Sequence, residues 1–418
     1  MSYTTFSVET DADGIALLTI DLPDASMNVW NEALINEFES FVESFLADDA
    51  IKGLVITSGK ESGFLAGADL NMLSALPDDA TAQQAFDVNF GLQKCLRKLE
   101  SGGYTTKELQ KGASAKPVAA ALNGLALGGG MELALACHYR VATDSKFQMG
   151  QPEVQVGLIP GAGGTQRVMR LAGVQPAIQI CTQGKPMDAA AAKAQGLIHE
   201  IVPHGDIVAK AKEWVKANPK AYQPWDNKGF KIPGGSGAMD PRVVPVFAGA
   251  SAMAQGVTNH NYPAVQRILS AVYEGSIVPI DVALRIESKY FVQCLLEPQA
   301  KNMIRTLFVN KGAAEKGAAR PEGVPKAEFK KVGVLGAGMM GAGIAYVTAK
   351  SGVEVVLLDR DIEYAEKGKG YSAKLNEKAI KRGRLTKEKS EALLARITPT
   401  TDYNDLADVD LVIEAVFE

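Results

Sequence analysis

Residues 331–335 (KVGVL) form a short apolar run. The next six, Gly336-Ala337-Gly338-Met339-Met340-Gly341, spell GxGxxG and lead into an Ala-rich helical stretch ending near Ser351. A second apolar run, 353–359 (VEVVLLD), closes a βαβ unit and places Asp359 at its end. GxGxxG alone is a weak signal, but between a strand and a helix each glycine has a task. Gly336 permits the tight turn, Gly338 lets the backbone approach a pyrophosphate, and Gly341 lets the helix pack closely on the strand. The helix start offers free N–H groups and a positive dipole end to phosphates. Asp359 can accept from a ribose diol, which favours NAD over NADP, although Arg360 beside it leaves that preference open.

The remaining residues divide by texture. Up to about residue 195, β-rich runs such as 14–22 (GIALLTIDL) and 51–57 (IKGLVIT) alternate with helical patterns such as 31–45, and glycine-rich turns recur between them. That alternation predicts an α/β architecture. From 196 to 325 the pattern is mainly helical, with apolar residues at three- and four-residue spacing over 264–309. A polar Gly- and Pro-bearing stretch, 310–326, then reads as a linker. The last apolar run, 411–416 (LVIEAV), reads as a further buried parallel strand.

A formal charge of −4 argues against a nucleic-acid-binding surface and does not support peripheral membrane association. Four scattered cysteines, without CxxC spacing, predict neither a disulfide framework nor a metal site, and suit a reducing cytoplasm. The amino terminus lacks the basic and apolar regions of a signal peptide.

Chemistry concentrates in the first zone. In 124–140 (GLALGGGMELALACHYR) three glycines open an apolar helix carrying Glu132 in its first turn, where a carboxylate also suits the helix dipole. A second acid, Glu153, lies in a Gln-Pro-Glu turn before 157–167 (GLIPGAGGTQR), where it could equally be a solvated loop carboxylate. A third turn, 64–70 (FLAGADL), follows a strand, and N–H groups from two such turns could converge as an oxyanion hole.

In this order and spacing, the FLAGADL, GGGMELALAC and PE…GLIPGAGGTQR segments resemble the enoyl-CoA hydratase (crotonase) superfamily, over roughly the first 195 residues. The GxGxxG zone, with 410–418 (DLVIEAVFE), resembles the amino-terminal half of the 3-hydroxyacyl-CoA dehydrogenase NAD domain. Both in one chain resemble the α-subunits of bacterial fatty-acid oxidation complexes.

The resemblance implies an α/β fold: a crotonase-type β-β-α spiral (1–195), a helical connector and linker (196–325), and the first part of a Rossmann domain (326–418). It implies hydration of trans-2-enoyl-CoA to 3-hydroxyacyl-CoA in β-oxidation, with coenzyme A as part of the substrate and no metal. The N–H groups of Ala68 and Gly129 would hold the thioester oxygen, Ala66 and Gly67 would adjoin the substrate, and Asp69 would brace the loop. Glu132 would activate water and Glu153 would supply the C2 proton. Gly336, Gly338, Met339, Gly341, Asp359 and Glu414 would hold NAD. His138 departs from the family, where Asp is common after the cysteine, and reads as structural.

A complete dehydrogenase continues past the last strand to a serine, a histidine–glutamate pair and a helical domain. The four histidines, His138, His199, His204 and His260, all precede the NAD motif. The expectation is therefore a chain truncated within its NAD domain and inactive in hydride transfer. A thiolase β-subunit in an α2β2-type complex is the implied partner. Δ3,Δ2-enoyl-CoA isomerisation and a non-catalytic docking role for the fragment are the alternatives.

Overall fold

The computed structural model describes residues 3–77, 79–237 and 240–416. They form two compact units, Met1–Ala318 and Ala319–Glu418.

The first unit is built on a six-stranded sheet and a three-stranded sheet. In the larger one, Phe6–Thr10 pairs antiparallel with Ile15–Ile20, and Gly53–Ser58, Val118–Leu122, Tyr139–Thr143 and Glu200–Val202 follow in parallel. Gly63–Leu65, Leu125–Leu127 and Met149–Gly150 make the smaller one, also parallel. Successive turns of chain lay one strand in the large sheet, one in the small sheet, and then a helical element, which is a β-β-α spiral. The central strand Val118–Leu122 (VAAAL) is buried throughout, as expected for a parallel strand covered on both faces. Its alternate residues serve two cores. Val118, Ala120 and Leu122 join the main core, and Ala119 and Ala121 pack with Val55, Val141 and the helix Ile207–Ala217.

The helices expected as a connector lie in this same unit. Pro263–Gly275 and Ile280–Leu296 contribute Ile268, Leu269, Phe291 and Val292 to the core that also holds Phe38 and Leu135. The helical pattern runs on to Glu315, so the stretch without helix or strand begins at residue 316, inside the expected linker.

The second unit has a four-stranded parallel sheet in the order Ile397–Thr400, Glu354–Leu358, Lys331–Leu335, Leu411–Glu414. Its core gathers Val332, Val334, Ala345, Val355, Leu357, Leu393 and Ile397. One expectation fails here. Leu411–Glu414 is not buried: it pairs only with Lys331–Leu335 among the described residues, and Leu411 and Val412 are exposed. Apolar composition made the strand readable, but burial depends on a covering layer that these residues do not have.

Candidate active site

The turn after Gly63–Leu65 is held by its backbone. Ala66 N–H donates to Asn28 O (2.8 Å), Trp30 N–H to Gly67 O (2.8 Å), and Asp69 N–H to Trp30 O (2.9 Å). The Asp69 carboxylate caps the next short helix by accepting from Asn71 N–H at 2.8 Å. This pattern skips the Ala68 N–H. Opposite, Gly128 (φ +52°) starts the helix Gly129–Ala136, and the indole N–H of buried Trp30 donates to Gly129 O at 3.1 Å. Trp30 therefore grips both turns. Among the described residues neither the Ala68 nor the Gly129 N–H has an acceptor.

Glu132, one turn into that helix, is 2% exposed. Its Oε1 accepts from Ala162 N–H and Gly164 N–H, each at 2.7 Å. Glu153 begins the 3₁₀ turn Glu153–Val156 and is half-buried, and the Gln151 amide, turned with its nitrogen toward Glu153, donates to the carboxylate at 3.1 Å. A methyl group placed on Gly128 would come within 2.6 Å of Glu153 Oε1, so only glycine leaves room for this carboxylate at the helix start. The Glu132 and Glu153 side chains, Ala66, Gly67, Ala68 and Gly129 line one cavity of about 900 Å³. Its other walls are largely apolar, including Leu70, Leu73, Leu76, Phe291, Leu295 and Phe308.

The two acids sit in different fields. Burial raises the Glu132 carboxyl, and the N–H donors of Ala162 and Gly164, with Arg167 nearby, pull it back. Burial raises Glu153 well above the ordinary carboxylate range, and the charge of Glu132 pushes it further. One carboxylate is supplied with donors suited to its charged form. The other is held toward its neutral form.

A third acid meets the same loop. Glu287, on Ile280–Leu296, is fully buried and accepts from Gly163 N–H and Thr165 N–H at 2.5 and 2.8 Å. Sequence reading missed it because it treated this helix as a connector. A signal was present: Glu287 and Ser288 interrupt the buried stripe Ile280, Ala283, Leu284, Phe291, Val292 at helical spacing. Phe291 and Leu295, from the same helix, were missed as cavity walls for the same reason.

His138 is structural. Its Nδ1 accepts from Val118 N–H (3.1 Å) and its Nε2 pairs with Glu100 O (2.9 Å), which needs a neutral ring protonated at Nε2.

In the second unit, Gly336 (φ +91°) makes the turn after Lys331–Leu335, and Gly338 precedes the helix Met339–Lys350. A methyl group on Gly341 would lie 1.7 Å from Gly336 O, so the close strand–helix approach requires glycine there. The N–H groups of Gly338 and Met339 have no acceptor among the described residues, and nothing lies within 4 Å of a methyl group built on Gly338. That open cradle fits a pyrophosphate. Asp359 braces it: Ala337 N–H donates to Asp359 Oδ2 at 2.6 Å. Glu414 ends the edge strand opposite Leu335 and accepts from Val416 N–H at 2.6 Å. The structure thus brings the six expected NAD residues to the carboxyl ends of adjacent strands, in a unit separate from the cavity of Glu132 and Glu153. No group of three His, Cys, Asp or Glu side chains among the described residues is arranged to hold a metal ion.

The family model for enoyl-CoA hydratase/isomerase matches residues 10–224. The chain belongs to the enoyl-CoA hydratase/isomerase family. This enoyl-CoA hydratase/isomerase chain also matches the 3-hydroxyacyl-CoA dehydrogenase NAD binding domain at residues 331–418. Fatty acid oxidation complex subunits alpha from Shewanella amazonensis and Idiomarina loihiensis are 36% and 35% identical to it, over 99% of this chain and 56% of theirs. The chain thus spans about half the length of the curated relatives it matches. A crystal structure of enoyl-CoA hydratase from Bacillus anthracis aligns with TM-score 0.44 and 26% identity, covering 65% of this chain and 91% of that one. No helix among the described residues is long and apolar enough to cross a membrane.

Proposed function

We propose that the first unit hydrates trans-2-enoyl-CoA to 3-hydroxyacyl-CoA. The observation that carries this reading is the pair Glu132 and Glu153, in opposed environments, lining one apolar cavity beside two unclaimed N–H groups. The thioester oxygen sits between the Ala68 and Gly129 N–H groups. Glu132 takes a proton from water as the water oxygen bonds to C3, and the electron pair of the double bond shifts toward the thioester oxygen. The two N–H donors hold that developing charge, where losing one such donor typically costs about 3 kcal/mol of transition-state stabilisation. As the carbonyl re-forms, Glu153 delivers its proton to C2. The two carboxyls have then exchanged charge states, and a proton passes between them through water to restore the site. Isomerisation needs only one carboxylate, so a cavity holding both favours hydration.

The glycine cradle of the second unit supports NAD binding in the longer protein. Gly336 and Gly341 shape the turn, the Gly338 and Met339 N–H groups face the phosphates, Asp359 faces the adenosine ribose, and Glu414 borders the site. NAD bound there would accept hydride from the 3-hydroxyacyl product. The relatives are named as complex subunits, which supports a multi-subunit assembly, and the partner we propose is a thiolase β-subunit in an α2β2-type complex. Four free, buried cysteines fit a cytoplasmic home.

The test follows loss of enoyl-thioester absorbance with crotonyl-CoA. Glu132→Gln and Glu153→Gln should each lower kcat roughly 10²–10⁴-fold, the usual range for general acid–base groups, while substrate binding persists. Near-normal turnover in both variants overturns the mechanism.

A further inference from the structure

Burying a carboxylate in an apolar helix stripe is costly unless donors meet it. Glu287 and Ser288 occupy such a stripe and both are fully buried. Donors meet Glu287 at both oxygens. Oε1 accepts from Gly163 N–H (2.5 Å) and Gln93 Nε2 (2.9 Å), and Oε2 accepts from Thr165 N–H (2.8 Å) and the Thr165 hydroxyl.

The partners on the loop alternate. Ala162 and Gly164 N–H groups go to Glu132, and Gly163 and Thr165 N–H groups go to Glu287. Two carboxylates from helices distant in sequence thus share four consecutive amides. The loop carbonyls are held as well: Gly161 O accepts from Asn89 and Gln93 at 3.0 and 2.8 Å, and Ala162 O accepts from Arg167 at 2.8 Å. Rotating the Gly163 or Thr165 peptide away from Glu287 would turn the neighbouring amides away from Glu132.

We propose that Glu287 is a positioning residue for the hydration reaction, fixing the 162–165 amides so that two of them hold Glu132 in its charged, water-activating form. This rests on the hydratase reading above. Glu287 also brings a third buried carboxyl close to the pair. Among the described residues, the ionisable groups around it are Glu132 on Gly129–Ala136, Glu153 on its 3₁₀ turn, Cys181 on Val174–Gln183, whose thiol is pushed up by burial and by these carboxyls, and Arg167 on Gly164–Ala172, whose Nε pairs with Glu100 of Ala82–Ser101 at 2.8 Å. Burial and the charge of Glu132 raise the Glu287 carboxyl to about 8, the Thr165 and Gly163 donors pull it back, and Glu287 in turn adds to the rise of Glu153.

The experiment compares the parent chain with Glu287→Gln and Glu287→Asp, measuring crotonyl-CoA hydration across pH and the thermal midpoint of each protein. The Gln variant keeps the shape but places an amide nitrogen against N–H donors, so one of the two acceptors is lost. Its kcat should fall at least tenfold with KM within about twofold, and the acid limb of its pH profile should move to higher pH, because loosened amides stabilise ionised Glu132 less. The Asp variant keeps the carboxyl and withdraws it from the loop, so its kcat should fall and its acid limb should also move to higher pH. If the Gln variant does not fold, the Asp variant decides. A folded variant with parental kcat, or a Gln variant with an unmoved acid limb, overturns the inference. A parent chain that hydrates no enoyl-CoA overturns the hydratase reading instead.

Discussion

Glu132 and Glu153 are the same residue type made unlike by their surroundings. Glu132 is offered two backbone donors, whereas Glu153 has burial and a neighbouring negative charge against it. The proposed hydration requires the first ionised and the second protonated. As pH falls, Glu132 gains a proton and activity is lost. Burial has raised that carboxyl, so the loss comes above the ordinary carboxylate range near 4.3. As pH rises, Glu153 loses its proton and activity falls again, at a higher pH because its carboxyl is raised by burial and by the charge of Glu132. The expected profile of kcat/KM is a bell lying wholly above the usual range for two carboxyls. Glu153→Gln should abolish the alkaline limb of whatever activity it keeps. An acid limb at the free-carboxylate value would show that the burial of Glu132 does not govern its charge.

Helices bring these groups together, and charged side chains pin the helices. Arg97, on Ala82–Ser101, pairs with Asp226 at 2.6 Å, Glu100 at 3.0 Å and Asp281 at 2.7 Å, the last on the first turn of the helix that carries Glu287. His138 joins Glu100 O to the strand Val118–Leu122. Burial lowers its pKa from 6.5 to about 4. The unfolded chain therefore binds this proton below pH 6.5 while the folded chain does not until about pH 4, so His138 makes stability fall as pH drops through that window. Integrated, the loss is about 3 kcal/mol at 1.36 kcal/mol per unit. His138→Gln can offer a carbonyl to Val118 N–H and an amide to Glu100 O without titrating. Urea unfolding at pH 7 and pH 4 should show a smaller loss in the variant, and equal losses would refute the neutral assignment. Elements of this unit were readable where their signals are local: apolar residues at helical spacing mark the helix Glu32–Ala47, and the three glycines open Gly129–Ala136. Glu287 showed only as a charge in an apolar stripe, because its partners are amides far away in the chain and only the packed fold makes them neighbours. The edge strand Leu411–Glu414 shows the reverse case, an apolar run whose identity is local and whose burial is not.

At the scale of the molecule, the two units have separate cores and separate candidate chemistry. Glu132, Glu153 and Glu287, together with the Ala68 and Gly129 N–H groups, belong to Met1–Ala318, and the glycine cradle belongs to Ala319–Glu418. Residues 316–330, which span the boundary, form no helix or strand, and 321–330 are all exposed. Backbone of this kind is where a protease gains access, since few contacts must break for the chain to enter its cleft. Lys316 and Lys326 are exposed tryptic sites there, whereas Arg320 precedes Pro321 and is protected. Limited trypsin treatment should therefore cut this stretch first, and crotonyl-CoA hydration should survive the cut, because the larger product keeps the cavity and the helix Ile280–Leu296 that walls it. Following fragment masses and hydration rate in one time course checks both halves of the expectation. Activity that decays in step with this first cut would mean that the hydratase site depends on the second unit, and a first cut elsewhere would mean that 316–330 is not the most accessible stretch of backbone.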